Sequence, residues 1–253
     1  MRAEHGELAL VRESFPDSPA YGAAVSRAIL LRVAGGELPP TMRLHRPGRI
    51  LAFGRQDAAS DRFGDAVRAA RGAGFEPIVR LAGGRAAVYH SGTIALSQAL
   101  HDRRPAAHTH ARFERLAESC AAALRRLGVD ARVGEVPGEY CPGAWSVNAR
   151  GRSKLVGIGQ RIISGGAHLG VVIVVRDSAA VRAALIPVYE ALGLEWDPAT
   201  AGSVADELGD ADLASVEAAI LAELERAGQA PVEASLDAET LRLAARLEVE
   251  HLA

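Results

Sequence analysis

Gly138-Glu139-Tyr140-Cys141-Pro142-Gly143-Ala144-Trp145-Ser146-Val147-Asn148, continuing through Gly151-Arg152-Ser153-Lys154-Leu155-Val156-Gly157-Ile158-Gly159-Gln160-Arg161, sets how the middle of the chain is read. Glycine and proline keep residues 134–144 in a loop. Trp145 to Asn148 then pairs with Lys154 to Arg161 as a hairpin turning at Asn148-Ala149-Arg150-Gly151. Ser164-Gly165-Gly166 is a second tight turn into His168 to Val175, whose near-continuous valines predict burial on both faces. Strands joined in this way, with helices around them, indicate an α+β fold and not an alternating βαβ sheet.

The same stretch is chemically unusual. Lys154 is the only lysine in the chain, every other strong base being arginine, and Cys141 is one of two cysteines. Arginine keeps its proton at neutral pH, whereas a lysine in a partly buried place can release one.

Working outward, Asp17 to Val33 reads as a helix with Tyr21, Val25, Ile29 and Leu30 at helical spacing. Met42 to His45 and Arg49 to Phe53 read as a strand pair turning at Arg46-Pro47-Gly48, and Asp61 to Arg71 as a short helix closed by glycines. Glu76 to Leu81, Ala86 to His90 and Thr93 to Leu100 are the next strands. A helix follows that carries Phe113, Leu116, Ala117, Cys120, Leu124 and Leu127 on one face, with Gly128 at its end. Beyond a short strand at Ala131 to Val133 and the hairpin, three helices close the chain: Ala179 to Leu192, Ala211 to Ala227 and Asp237 to His251. The junction lies between Glu195 and Asp206, so residues 1–195 form the expected catalytic domain. Residues 196–253 are the expected helical extension packed on it.

Composition bounds the rest. The 253 residues suffice for a substantial core, and 49% hydrophobic with 24% charged residues is an ordinary globular profile. A net charge of −2 gives no basic footprint for nucleic acid, and no run is long enough to cross a membrane. Glu4, His5 and Glu7 stand where an export signal would be basic and then apolar, so a cytoplasmic protein is expected.

Individual motifs each admit two readings. Cys120 lies on an apolar helix face and reads as core; Cys141 sits in a loop that breaks any burying periodicity, which leaves both a reactive and a structural thiol open. Lys154 is either a solvated lysine or, thirteen positions after Cys141 across a hairpin, part of a site. Gly157 and Gly159 alternate along its strand, where missing side chains let another backbone or a ligand lie close. Gly83-Gly84 between Arg80 and Arg85 is either a tight turn or a place for backbone amides to meet an anionic or acyl group. His90 at a strand end is by default a satisfied or surface histidine. His108 and His110 lack the further ligands of a zinc site, so no metal site is expected. The phosphate-loop, zincin, dinucleotide and serine-elbow patterns are absent.

Arg80-Leu81-Ala82-Gly83-Gly84-Arg85-Ala86-Ala87-Val88-Tyr89-His90 resembles the R-x-x-G-G signature of the lipoate–protein ligase and octanoyltransferase superfamily. Lys154 to Arg161 is similar to its lysine strand, K-x-x-G-x-x-Q-R, and Leu51 to Gln56 to the entry of its acyl pocket. The likeness spans roughly residues 15 to 176 in order and spacing. It implies a biotin/lipoate-ligase-like mixed sheet with flanking helices, to which the C-terminal helices are added. The superfamily holds ATP-dependent ligases and cysteine-dependent transferases, and Tyr140-Cys141-Pro142-Gly143 resembles the loop of the cysteine branch. That branch closest in likeness moves octanoyl from the glycine cleavage H protein to lipoyl domains. Two positions depart from the pattern: the usual serine before the paired glycines is Ala82, and the aspartate often found after the cysteine loop is Ser146.

The resemblance implies an acyltransferase that needs no cofactor. Cys141 would take an octanoyl or lipoyl group from a carrier thioester, and Lys154 would donate a hydrogen bond to the carbonyl oxygen. Arg80, Gly83, Gly84, Arg85, His90, Gly157 and Gln160 would contact the substrate. The implied donors are octanoyl-acyl carrier protein or the octanoylated H protein, and the acceptors are lipoyl domains of 2-oxoacid dehydrogenases. An ATP-dependent lipoate ligase and a non-catalytic acyl-binding homologue are the alternatives.

Overall fold

The structure, a computed structural model, describes residues 8–253. Glu4, His5 and Glu7, on which the expectation about export rests, lie outside the described residues. In chain order the elements are β1 (Leu8–Val11), α1 (Pro19–Ala34), β2 (Thr41–His45), β3 (Ile50–Phe53), α2 (Arg55–Ala58), α3 (Phe63–Gly72), β4 (Glu76–Val79), β5 (Ala87–Tyr89) and β6 (Thr93–His101). There follow α4 (Thr109–Arg126), β7 (Ala131–Val133), β8 (Val147–Ala149), β9 (Ser153–Ile163), β10 (Gly166–Val174), α5 (Ser178–Leu192), α6 (Val204–Leu208), α7 (Leu213–Arg226), β11 (Pro231–Ala234) and α8 (Ala238–Leu247).

Eight strands form one mixed sheet in the order β11-β1-β2-β6-β10-β9-β8-β7, and three form a smaller sheet, β4-β3-β5. The strands on either side of β10 run antiparallel to it, with Gly159 opposite Gly170 on one flank and Ser97 opposite Gly170 on the other. β10 is buried along nearly its whole length, as its valines predict. α4 and α7 cover one face of the large sheet, where Leu116, Cys120 and Leu124 meet Ile94, Leu169, Val171, Val216 and Ile220. α1 and α8 pack together through Val25, Ile29, Val33 and Ala244. α3 and α5 close over the small sheet through Val67, Leu185 and Val188 against Leu51 and Phe53.

One expected pairing is corrected. β2 and β3 are not a hairpin: β2 lies beside β1 and β6, whereas β3 lies between β4 and β5 in the other sheet. β3 is wholly apolar, and β2, although it alternates polar with apolar residues, is buried on both faces, so alternation does not tell which partner each takes. β5 and β6 are likewise consecutive strands placed in different sheets.

The C-terminal segment is not only helical. β11 pairs in parallel with β1, Leu8 opposite Pro231 and Val11 opposite Ala234, and so extends the large sheet. Residues 195–206 do not run free as a linker: the Asp197 amide donates to the Gly138 carbonyl at 2.7 Å and the Gly202 amide to the Lys154 carbonyl at 3.1 Å. Among the described residues no helix is long and apolar enough to cross a membrane.

Candidate active site

Antiparallel β7 and β8 send the intervening loop out from one sheet edge and take it back, so its tip must be held by its own polar groups. Glu139 does much of this. Its side chain is wholly buried, and one carboxylate oxygen accepts from the Ser146 hydroxyl at 2.6 Å, Lys154 Nζ at 3.0 Å and the Gly143 amide at 3.2 Å. The other oxygen accepts from the Val136 amide at 3.1 Å. Lys154 enters from β9, where it faces Asn148. Its ammonium donates to Glu139, to the Tyr140 carbonyl at 3.0 Å and to the Cys141 carbonyl at 2.7 Å. An ammonium has three N–H bonds, and all three are taken. A buried ion pair is tolerable only when its remaining polar capacity is met, as it is here.

Cys141 stands at the tip with φ of 45°, a left-handed conformation that non-glycine residues rarely adopt. Tyr189 of α5 fixes it: the Cys141 amide donates to the Tyr189 hydroxyl at 2.8 Å, and that hydroxyl donates to the Ala86 carbonyl at 3.2 Å. The bent backbone turns the sulfur toward the glycine loop after β4. There Sγ accepts from the Arg85 amide at 3.2 Å and lies 3.5 Å from Arg80 Nη2.

The glycines make this approach possible. A Cβ on Gly84, whose φ is +99°, would lie 2.5 Å from Arg80 Nη2 and 2.8 Å from Cys141 Sγ. On Gly159 a Cβ would lie 2.9 Å from the Gly83 carbonyl oxygen, so only glycine lets the loop rest on β9. The Gly83 amide completes that contact by donating to the Gln160 carbonyl at 3.2 Å.

Burial by itself pushes the Cys141 thiol up, but the Arg80 charge, then the Lys154 charge, then the Arg85 amide outweigh it and hold the thiol below its ordinary value. Cys120, buried in the core with no such neighbours, is pushed up to about 12. One sulfur is prepared to ionise and the other is not.

Two cavities meet at Arg80. One, of about 250 Å³, holds Cys141 and is walled by Phe113, Trp145, Ile158 and Val172 with Gly157 and Gly159 as floor. Phe113 and Trp145 stack in parallel at 6.4 Å. The other, of about 90 Å³, lies under α1 between the two sheets and is mostly apolar, lined by residues such as Phe15, Ile50, Ala82, Leu96 and Val171, with His45 and His168 among them.

The residues singled out in the sequence divide accordingly. Cys141, Lys154, Arg80, Gly83, Gly84, Gly157 and Gln160 line the thiol cavity. Arg85 contributes its amide, while its guanidinium pairs with the buried Asp57 at 3.1 Å. Gln160 is present but its amide is occupied, accepting from Arg112 Nε at 2.6 Å and donating to the Thr109 carbonyl at 3.3 Å. His90 is corrected: it belongs to the β5–β6 turn, where its Nδ1 accepts from the Gly92 amide at 3.0 Å, and it borders neither cavity. Among the described residues no group of three or more His, Cys, Asp or Glu is placed to hold a metal.

Glu139 and Tyr189 are the residues supporting the site that sequence reasoning missed. Glu139 was in plain view two positions before Cys141, but nothing in a linear reading aims its carboxylate at Lys154. Ser146 stands where a carboxylate is often found, and here it hydrogen-bonds the carboxylate that Glu139 supplies instead.

The fold and site define a protein with a mixed sheet and an ionisable loop thiol held between a guanidinium and a backbone amide at the edge of an apolar-walled cavity. The family described as the lipoyl protein ligase A/B catalytic domain matches residues 18–225, and the chain belongs to that family. It is 28% identical over 174 residues to an octanoyl-[GcvH]:protein N-octanoyltransferase of Geobacillus kaustophilus, covering 69% of this chain and 61% of that one. A protein of the same name from Bacillus velezensis is 29% identical over 163 residues, 64% of this chain and 56% of its own. The chain thus spans about three-fifths of the length of the curated relatives it matches. A bipartite lipoate protein ligase from Thermoplasma acidophilum, solved in a study with its E2 lipoyl domain, superposes with a TM-score of 0.73 at 18% identity. The match covers 96% of this chain and 92% of the other, and it shows the shared fold.

Proposed function

We propose that this protein is a cysteine-dependent acyltransferase of protein lipoylation, moving an octanoyl or lipoyl group to the lysine of lipoyl domains. The observation that carries the reading is the position of Cys141 Sγ, between the Arg80 guanidinium and the Arg85 amide at an apolar-walled cavity. A thiol so placed, with a cation and a backbone amide at its sulfur, is suited to nucleophilic attack. The relatives named octanoyl-[GcvH]:protein N-octanoyltransferase support the choice of acyl group and of an acylated H protein as donor. Octanoyl-acyl carrier protein is the alternative donor. The site residues fall within residues 1–195, which we take as the catalytic unit, with 196–253 bracing it from behind Gly138 and Lys154. A cytoplasmic location fits a free catalytic thiol.

In the first half-reaction Cys141 Sγ bonds to the acyl carbonyl carbon, and the bond from that carbon to the donor heteroatom breaks. The heteroatom is the sulfur of a carrier thioester or the lysine nitrogen of an acylated protein, and it leaves with a proton from solvent. In the second, the acceptor lysine amine attacks the acyl-enzyme, the carbon–sulfur bond breaks, the amine loses a proton and the thiolate is regenerated. The acyl chain lies along the walls formed by Phe113, Trp145 and Ile158 or reaches past Arg80 into the smaller cavity under α1. Neither half-reaction consumes ATP.

The test is transfer from an octanoylated H protein and from octanoyl-acyl carrier protein to a lipoyl domain with ATP omitted. An octanoylated lipoyl domain is expected from at least one donor. Product formed only from free octanoate plus ATP would make the protein a ligase and overturn the reading.

A further inference from the structure

The ammonium of Lys154 has no N–H left to offer a substrate. Its three acceptors are a carboxylate oxygen and two loop carbonyls, and Glu139 is itself locked by four donors. Releasing Lys154 toward a substrate would leave the buried Glu139 carboxylate without its counter-charge, a costly arrangement. Arg80 is in the opposite condition. Its Nη2 donates to the Arg85 carbonyl at 2.7 Å and faces Cys141 Sγ at 3.5 Å, while its Nε is buried with no hydrogen-bond partner. Among the described residues no carboxylate pairs with it, although fourteen other basic side chains there have one. It also borders both cavities, so its guanidinium lies where an acyl group bound in either must bring its carbonyl to the sulfur.

We infer that Arg80, and not Lys154, is the catalytic cation of this site. Its guanidinium is the counter-ion of the Cys141 thiolate and then the hydrogen-bond donor to the carbonyl oxygen as that oxygen takes on negative charge. Lys154, held by Glu139, is a positioning residue that fixes the carbonyls of Tyr140 and Cys141 and hence the direction of the sulfur. When Sγ bonds to the acyl carbon the negative charge moves from sulfur to the carbonyl oxygen, and a planar fork already beside the sulfur follows it with a small displacement. No proton is transferred to or from Arg80. The inference rests on the acyl-transfer reading for the second of these two roles only; the pairing with the thiolate stands without it.

The experiment uses the full chain and two probes that need no carrier protein: iodoacetamide alkylation of Cys141 as a function of pH, and acylation of Cys141 by octanoyl-pantetheine followed by intact mass. In Arg80→Gln the alkylation midpoint is expected to rise toward about 8.5, the value of a free thiol. Acylation is expected to slow by about 10²–10³-fold, the range for losing one oxyanion donor. Added methylguanidinium should restore part of both. Lys154→Met, compared at a temperature where circular dichroism shows it folded, should move the midpoint less and should not respond to methylguanidinium or methylammonium. If Arg80→Gln does not fold, Arg80→Lys serves: the retained charge should keep the midpoint low while acylation still falls at least tenfold. A low midpoint and near-parental acylation in the Arg80 variant overturn the inference, as does a larger midpoint shift in Lys154→Met. If the midpoint moves as expected but no carrier protein ever acylates Cys141, the transferase reading fails and the thiolate pairing does not.

Discussion

Lys154 Nζ donates to the carbonyl oxygen of Cys141 at 2.7 Å, which ties the one lysine of the chain to the backbone of the candidate nucleophile and not to its sulfur. The same ammonium is the counter-charge of Glu139. Removing one partner of such a buried pair strands the other. Lys154→Met is therefore expected to destabilise the protein by about 3–5 kcal/mol, and Lys154→Met with Glu139→Leu by less than Lys154→Met alone. Urea unfolding of the parent, the two singles and the double variant measures this, and strict additivity of the two singles would contradict it.

Gly84 has both reasons to be glycine: φ of +99° and a Cβ position 2.8 Å from Cys141 Sγ. Gly84→Ala should cost about 1–2 kcal/mol in stability from the backbone alone. It should also push the sulfur from the Arg85 amide, so alkylation of Cys141 should need a higher pH than in the parent. An unchanged alkylation profile would show that the glycine loop does not tune the thiol.

Tyr189 bridges the cysteine loop and the glycine loop with one hydroxyl. Tyr189→Phe leaves the Cys141 amide without its acceptor and should cost about 1–3 kcal/mol. Because the left-handed turn at Cys141 then loses its tether, acyl-enzyme formation should slow more than thermal stability alone would suggest. Stopped-flow acylation well below the melting temperature separates the two effects.

His168 gives the pH dependence of stability a definite sign. Burial, followed by the neighbouring Arg43 charge, pushes its imidazole down to about 4, below its ordinary value of about 6.5. The folded state therefore holds His168 neutral while the unfolded chain takes up a proton. Its contribution is complete above about pH 6.5 and is lost as pH falls through about 4, on the order of 3 kcal/mol in all. His168→Asn should flatten the fall in stability between pH 7 and 4.5 relative to the parent. Parallel stability curves for the two proteins would contradict the assignment.

Much of the fold was legible because its signals are local. The hairpin of β8 and β9 announces itself through Asn148 to Gly151, where the Asn148 side chain accepts from the Gly151 amide at 2.8 Å. β10 shows its double burial in its valines, and α4 its face through Leu116, Cys120 and Leu124. Partner choice was not local. β2 and β3 are each buried on both faces, so nothing in Met42–His45 or Ile50–Phe53 says that the Pro47-Gly48 link changes sheets. β11 has two exposed residues in its middle and no apolar alternation, and it became a strand only through its edge pairing with β1.

At the site, the residue types were readable and their partners were not. Cys141 and Lys154 stand out by composition and place, and Arg80 by its position before two glycines. That Lys154 faces carbonyls and Glu139 while Arg80 faces the sulfur depends on how three loops close on one another. His90 misled because its place after the glycine loop looked like a site position, whereas its ring serves its own turn.

In the proposed reaction Cys141 carries the acyl group covalently between donor and acceptor, as a thioester intermediate. The most direct measurement of this is the intact mass of the protein after brief exposure to an octanoylated H protein or octanoyl-acyl carrier protein, with Cys141→Ser beside it. The expected result is a gain of one octanoyl group on the parent, mapped to Cys141, absent in Cys141→Ser and discharged on adding a lipoyl domain. Transfer of octanoyl to the lipoyl domain by Cys141→Ser at the parental rate, with no adduct seen on the parent, would contradict it.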